Sequence, residues 1–81
     1  MNESERSSLL LRITIIPGLM GGKPTIRGMR FPVGDILEML ANKMTHEEIL
    51  EQHPSLEADD ILAALYYAAV NISNTRIIHA A

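Results

Sequence analysis

The fold of this 81-residue chain is decided by residues 17–34, which read Pro-Gly-Leu-Met-Gly-Gly-Lys-Pro-Thr-Ile-Arg-Gly-Met-Arg-Phe-Pro-Val-Gly. Five glycines and three prolines fall in these eighteen positions, so the backbone is expected to adopt angles that ordinary residues avoid. Lys23, Arg27 and Arg30 lie among them and concentrate positive charge. Residues 17–34, the basic segment, therefore predict a rigid, positively charged connector between two structured parts of the chain.

The whole chain is small, acidic and free of cysteine. A domain of this size buries only about 60% of its unfolded surface, so we expect one domain with a marginal core. The net charge of −3 divides unevenly, with +3 on residues 1–30 and −6 on residues 31–81. Without cysteine, disulfides and thiolate metal sites are excluded. The N-terminus lacks a signal-peptide pattern and no apolar run approaches the ~20 residues that span a bilayer, which predicts a cytoplasmic protein without membrane contact.

Two short strands are expected around the glycines of the basic segment. Residues 9–16 are rich in β-branched side chains and end at Pro17, which predicts a strand followed by a turn. Residues 25–26 predict a second short strand that pairs with the first or with another subunit. Residues 1–8 are polar and are predicted to be disordered.

Two helices are predicted directly after the basic segment. The first starts near Pro32 and runs to about Ala41 or Asn42, because its apolar side chains are spaced i, i+3, i+4 and i+7. The second starts at a capping box, in which Thr45 and Glu48 each accept a hydrogen bond from the other's backbone amide. Both helices are expected to pack one apolar side on the core.

A third predicted helix runs from about Glu57 to Ile72, after a short turn that contains Pro54. The side expected to face the core carries Ala58, Ile61, Leu62, Leu65, Ala69 and Ile72. The opposite side is also apolar and carries Ala63, Tyr66, Tyr67 and Val70. A small monomer is expected to place charges there, so this second side predicts contact with another subunit, with a partner, or with the C-terminal tail.

These elements predict a mainly α fold, in which a short N-terminal β-arm precedes a three-helix helix-turn-helix core. The predicted boundaries are a disordered N-terminus at residues 1–8, the arm and helices at residues 9–73, and a tail at residues 74–81. Helix-turn-helix proteins commonly place the last helix in the DNA major groove. Here that helix begins with Glu57, Asp59 and Asp60, and carboxylates at this position oppose binding to phosphates.

No catalytic, cofactor or metal site is predicted. His46, His53 and His79 do not have the spacing of metal ligands, and none is spaced to activate Ser55 as a nucleophile. Residues 21–25 lack the glycine spacing of a phosphate-binding loop. The sequence therefore predicts a protein that is not an enzyme.

Five motifs together carry a resemblance to a known family. They are Gly21-Gly22-Lys23-Pro24-Thr25-Ile26-Arg27-Gly28-Met29-Arg30-Phe31-Pro32-Val33, Asp35-Ile36-Leu37, Thr45-His46-Glu47-Glu48-Ile49-Leu50, His53-Pro54-Ser55-Leu56 and Asp60-Ile61-Leu62-Ala63-Ala64-Leu65. Over residues 13–70 the chain resembles the domain-of-unknown-function 433 family. The resemblance implies a homeodomain-like three-helix fold with a β-arm, and many members are regarded as antitoxins encoded beside a PIN-like nuclease toxin. The family commonly has glycine where Lys43 stands, so Asn42 is expected to take the left-handed conformation that ends the first helix.

Two functions are expected from these observations. The first is an antitoxin that forms a homodimer and neutralises a PIN-like nuclease by direct contact, with the tail either on the partner or on its own domain. Its expected interface residues are Ile13, Ile15, Tyr66, Tyr67, Val70, Ile77 and Ile78. The alternative is a DNA-binding transcriptional regulator that contacts phosphates through Lys23, Arg27 and Arg30.

Overall fold

The computed structural model describes residues 1–73, which form a mainly helical fold with a small antiparallel sheet. The prediction of a mainly α protein with a short β-arm is confirmed. Along the chain the elements are α1 (Glu3–Leu10), β1 (Ile13–Thr14), a short 3-10 turn (Met20–Gly22), β2 (Thr25–Ile26), α2 (Val33–Ala41), α3 (His46–Gln52) and α4 (Ala58–Ser73). The helix-turn-helix relation among the last three helices stays a prediction.

Helix α1 corrects two predictions, since residues 3–8 are helical rather than disordered and residues 9–10 are helix rather than strand. The helix starts because the Asn2 side chain accepts a hydrogen bond of 2.8 Å from the Glu5 amide. Glu3 and Glu5 in the first turn also complement the helix dipole. Leu9 is buried, and α1 packs against α4. Packing of this kind stabilises a helix whose own sequence is too polar and short to be stable alone.

The β-arm is a pair of two-residue strands. Ile13 lies opposite Ile26 and Thr14 opposite Thr25, so the predicted second strand and its pairing with the first are confirmed. The first strand is shorter than the predicted residues 9–16. The two threonine hydroxyls are 2.8 Å apart, so one donates to the other, and each lies within 3.3 Å of the other residue's carbonyl. The short pairing is therefore supported by side chains.

A tight turn follows β2 and orients Arg27. Arg27 and Gly28 both have positive φ angles, 46° and 71°, as the two central residues of a type I′ turn do. The Met29 amide donates to the Ile26 carbonyl across the turn at 2.8 Å. The Gly28 amide donates to the Thr14 hydroxyl at 2.9 Å. The glycine-rich sequence thus folds the basic segment back onto β1.

Helix α2 starts and ends where the sequence predicts, but the residues that follow it differ from the prediction in backbone conformation. Pro32, with φ −65°, is the N-cap residue, and Val33 and Ile36 are buried. Asn42 does not take the left-handed conformation, because its φ is −83°. Lys43 takes it instead, with φ 67°. The residue where the family commonly has glycine therefore adopts a glycine-like conformation with a lysine side chain.

Helix α3 begins at the capping box that the sequence predicts. The Thr45 hydroxyl accepts from the Glu48 amide at 3.1 Å, and the Glu48 carboxylate accepts from the Thr45 amide at 2.9 Å. The hydrogen bond from the Thr45 backbone holds the pKa of Glu48 below its ordinary value. Ile49 on the same helix is completely buried.

The core lies where β2, α2, α3 and α4 meet. Its buried members are Ile26, Val33, Ile36, Ile49, Leu56, Ile61 and Ala64. Half-buried apolar side chains surround them, including Ile13, Phe31 and Tyr67. Aliphatic residues thus fill most of this interior, as the scarcity of aromatic residues predicts.

The orientation of α4 differs from the prediction. Ala63, assigned to the outer side, is completely buried, and Tyr67 packs against the core. Leu62 and Leu65, assigned to the core, are exposed. The sequence of α4 is apolar on all sides, so spacing alone cannot choose which side faces the core. The structure shows that the side carrying Asp60 does so.

Candidate protein-interaction surface

A buried ion cluster joins the N-terminal part of the chain to α4. Its centre is the carboxylate of Asp60, which is inaccessible to solvent. Arg27 donates to both carboxylate oxygens, through Nε at 3.1 and 3.3 Å and through Nη2 at 2.9 Å. Arg12 donates to Asp60 at 3.0 Å and to Glu57 at 2.7 Å. Asp60 also accepts from the Glu57 amide at 2.7 Å, so the same carboxylate closes the first turn of α4.

The cluster keeps Asp60 charged. Burial raises the pKa of Asp60. Hydrogen bonds from Arg27, the Glu57 amide and Arg12 lower it by more than burial raises it, so the pKa lies below its ordinary value. Hydrogen bonds to these carboxylates raise the pKa of Arg12 and of Arg27. A buried charge is tolerated only when it is paired and fully hydrogen-bonded, as Asp60 is. The cluster is therefore a structural clamp between β1, the type I′ turn and α4.

The clamp was not foreseen from the sequence, although two of its members were noticed. Arg27 was predicted to contact nucleic acid, and Asp60 was predicted to oppose phosphate binding at the start of the last helix. The structure pairs them across 33 positions of sequence, and Arg27 also donates to the Ser55 carbonyl at 2.8 Å. Arg12, which completes the clamp, carried no prediction. Charge alone could not identify these partners, because the chain has other exposed acids and bases.

The other two basic candidates, Lys23 and Arg30, are exposed. Within residues 1–73 neither forms an ion pair of 4.0 Å or less. Arg30 borders a groove of about 360 Å³, whose lining also contains Phe31 and His53. The His53 ring meets Phe31 edge-on, with centroids 5.1 Å apart. Of the three predicted nucleic-acid contacts, Lys23 and Arg30 thus have side chains that no carboxylate of residues 1–73 binds, whereas Arg27 is bound by Asp60.

Helix α4 presents an apolar strip to solvent, formed by Leu62, Leu65, Ala69 and Ile72 and termed here the outer face. Three of these side chains are large and exposed, with 43% exposure at Leu62, 41% at Leu65 and 65% at Ile72. Residues 61–73 contain no charged side chain, so no charge interrupts the strip. An apolar surface therefore faces solvent on α4, but it consists of residues that the prediction had assigned to the core, and the predicted surface residue Ala63 is buried.

The predicted interface residues have different surroundings in the structure. Tyr66, Tyr67 and Val70 are half-buried, whereas Ile15 in the β-arm is exposed. Ile13 is half-buried and packs against the core. The remaining two candidates, Ile77 and Ile78, lie outside the described residues, as does the tail at residues 74–81.

One end of the outer face adjoins an acidic residue and a groove. This groove lies between α1 and α4, has a volume of about 430 Å³ and is lined by residues that include Leu9, Arg12, Asp59 and Leu62. The Asp59 carboxylate is 3.8 Å from an Arg12 guanidinium nitrogen and remains largely exposed. Apolar contact area and negative charge are therefore adjacent where α4 begins.

The described residues show neither a metal cluster nor a membrane-spanning helix. Within residues 1–73, no group of three or more histidine or carboxylate side chains is placed to hold a metal ion. Across the same residues, no helix is both long and apolar enough to cross a bilayer. His79, one of the histidines considered for metal binding, lies outside this part of the chain.

Comparison with known proteins identifies the family. The model of the family described as protein of unknown function (DUF433) matches residues 13–68, which is more than half of the chain. The chain therefore belongs to this family, and the family resemblance drawn from its motifs is confirmed. The match begins at β1 and ends within α4, so it includes Arg27 and Asp60 and leaves out Arg12 and α1.

Two relatives support this membership. The uncharacterized protein y4eO of Sinorhizobium fredii is 41% identical over 59 residues, which are 73% of this chain and 27% of that protein. This chain therefore spans about a quarter of the length of that curated relative. The crystal structure of a DUF433 member protein from Anabaena variabilis aligns with a TM-score of 0.71 and 29% identity, covering 90% of this chain and 79% of the other.

Proposed function

We propose that this protein is a non-catalytic protein-binding module, an antitoxin that neutralises a PIN-like nuclease by direct contact through the outer face of α4. The observation that carries this proposal is the uncharged, solvent-exposed strip of Leu62, Leu65, Ala69 and Ile72. Contiguous apolar surface on a small protein favours contact with another protein, because its burial is stabilising. The antitoxin role itself comes from the family resemblance.

The charge of the helical half supports a basic partner. Residues 31–73 contain eight carboxylates and one lysine. Within residues 1–73, only Asp60 and Glu57 among these carboxylates form hydrogen bonds with arginine side chains. Proteins that cut nucleic acid bind phosphates with basic surfaces, so an apolar contact with the exposed carboxylate of Asp59 at one end suits such a partner. This complementarity favours a nuclease over a partner with an acidic surface.

Co-purification with the product of the neighbouring gene, which the proposal expects to be a PIN-like nuclease, tests the proposal. The full chain and the nuclease are co-expressed, separated by size exclusion, and assayed for cleavage of RNA. We expect one co-eluting complex in which cleavage is inhibited. Leu65→Lys places a charge in the centre of the outer face and should weaken the complex about 100-fold. Binding would either bury the lysine charge without an opposite charge or be prevented by the lysine side chain.

The matched control is Gln52→Lys, which introduces the same side chain at an exposed position of α3. It should leave the complex intact, and circular dichroism should show that both variants are folded. Failure of the unsubstituted chain to co-elute with the nuclease contradicts the proposal. Equal weakening by Leu65→Lys and Gln52→Lys contradicts the assignment to the outer face.

DNA binding through the basic segment is the alternative, and the structure supports it less. Arg27, one of the three expected contacts, already directs its guanidinium to Asp60. The start of α4 exposes Glu57 and Asp59, which repel phosphates. Lys23 and Arg30 remain for such contact. Affinity for the protein's own promoter fragment, measured across salt concentrations, decides this point: two phosphate contacts predict a slope of about −2 in log affinity against log salt.

A further inference from the structure

We propose that the exposed edge of β1 pairs with β1 of a second copy of this chain, so that two molecules form a continuous four-stranded antiparallel sheet. This surface lies on the β-arm and is separate from the outer face of α4. The inference therefore does not depend on the proposed antitoxin function. Three observations carry it: the direction of the backbone groups, the exposed side chains beside them, and the distribution of charge.

The first observation is that only one edge of the small sheet is occupied. On the outer side of β2, the Ile26 amide donates to the Phe31 carbonyl at 3.0 Å, and Thr25 forms a bridge with Pro32. On the inner side of β2, which faces β1, the Arg27 amide donates to the Arg12 carbonyl at 2.8 Å. Residues in an antiparallel pair alternate between facing the partner strand and facing away from it.

This alternation fixes the direction of the Ile13 backbone. Because Arg12 faces β2, the next residue must direct its amide and carbonyl away from β2. Ile26, opposite Ile13, shows the same alternation by donating to its own outer side. Within residues 1–73 no backbone hydrogen bond outside the sheet involves Ile13. The outer edge of β1 therefore offers a donor and an acceptor to another strand.

The second observation is that apolar side chains flank this edge and are exposed to solvent. Leu11 is 83% exposed, Ile15 60% and Ile16 40%. Natural proteins usually protect an open edge with a charged side chain, a proline, a bulge or a very short strand. Residues 13–16 are Ile-Thr-Ile-Ile and contain neither a charge nor a proline, and β1 itself has only two residues. Apolar, uncharged residues along this edge favour pairing with another strand.

The third observation explains why the occupant is a second copy. Residues 13–16 are uncharged, so two copies can lie antiparallel without placing like charges opposite each other. The flanking Arg12 is already neutralised by Glu57 and Asp60, at 2.7 and 3.0 Å. A strand that carries charges would meet no opposite charge on residues 13–16. A second copy of this chain presents an uncharged strand to the edge. A two-fold axis then joins two marginal two-stranded sheets into one of four strands.

Sedimentation of the full chain and of two lysine variants tests this inference. We expect the unsubstituted protein to be a dimer and Ile15→Lys to weaken dimerisation about 100-fold, because the two-fold axis brings both new charges into one interface. Leu65→Lys is the matched control, since it places lysine at a comparably exposed apolar position of α4. This control should remain dimeric. Circular dichroism should show that all three proteins are folded.

Amide hydrogen exchange then distinguishes strand pairing from contact between side chains alone. The Ile13 amide should be protected in the dimer and exchange faster on dilution or in Ile15→Lys. A monomeric unsubstituted chain overturns the inference, and this includes the case in which residues 74–81 of the same chain cover the edge. Dissociation by Leu65→Lys with an intact Ile15→Lys dimer also overturns it, because the dimer would then form through α4. Neither result decides whether the protein binds the nuclease, which the co-elution experiment tests separately.

Discussion

Lys43 holds a backbone conformation that suits glycine better than lysine. Its φ of 67° lies in the left-handed region, where a Cβ atom costs about 1–2 kcal/mol. We expect Lys43→Gly to raise the free energy of unfolding by about 0.5–1 kcal/mol, since relief of this strain exceeds the extra entropy that glycine gives the unfolded chain. Urea denaturation measures the change. Lys43→Ala removes the charge but keeps the Cβ, so a comparable gain there would contradict the explanation.

Arg27 shows how far a single residue could be interpreted from sequence. Its charge and its place in the basic segment were visible, and they predicted a phosphate contact. Its left-handed φ and its pairing with Asp60 depend on a turn and a partner 33 positions away. Sequence spacing reports which residues share a face of one element, whereas it carries no information on which distant charges meet. The sequence therefore indicated the charge of Arg27 but not its pairing with Asp60, which only the fold brings about.

Among the helices and strands, the start of α3 was predicted best, because the capping box of Thr45 and Glu48 can be recognised in the sequence. Thr45 and Glu48 satisfy each other's amides, so Thr45→Ala should lower the free energy of unfolding by about 1 kcal/mol. Thr45→Ser keeps a hydroxyl acceptor and should cost much less. Thermal denaturation of the two variants measures the difference. Equal losses in both would show that the threonine methyl group, and not the cap, stabilises α3.

Two elements were predicted wrongly for physical reasons. Helix α1 has no apolar periodicity, so its formation depends on Asn2 at its start and on packing against α4. Asn2 followed by acidic residues was the available signal. Helix α4 was predicted correctly in position but not in rotation, because its apolar residues surround it. A hydrophobicity pattern predicts that a charged residue faces solvent, whereas Asp60 is buried on the core side of α4.

At the scale of the whole molecule, the clamp should make stability depend on acid pH. The pKa of Asp60 is lower in the folded state than the ordinary value of about 3.9. A depressed carboxyl pKa stabilises the fold above the unfolded-state pKa, and this contribution is lost as pH falls through the folded-state value. We expect Asp60→Asn to cost about 2 kcal/mol at pH 7, because Arg12 and Arg27 are partly exposed and keep some hydration.

Chemical denaturation at pH 7 and at pH values below about 4 measures this dependence. The difference in unfolding free energy between the unsubstituted chain and Asp60→Asn should shrink as the pH falls. Asp59→Asn is the control, since it removes a neighbouring carboxylate that is largely exposed, and its effect should stay within about 0.5 kcal/mol. A constant difference at all pH values would contradict the role of the Asp60 charge.

The sequence distances within the clamp also have a kinetic consequence. Asp60 lies 48 positions from Arg12 and 33 from Arg27, whereas helices form through contacts between close neighbours. Contacts that close such long loops are expected after the helices have formed, on the native side of the folding barrier. The clamp should then contribute little to the rate of folding and strongly to the rate of unfolding. In a chain of 81 residues with a small core, we therefore expect the clamp to lengthen the lifetime of the folded state.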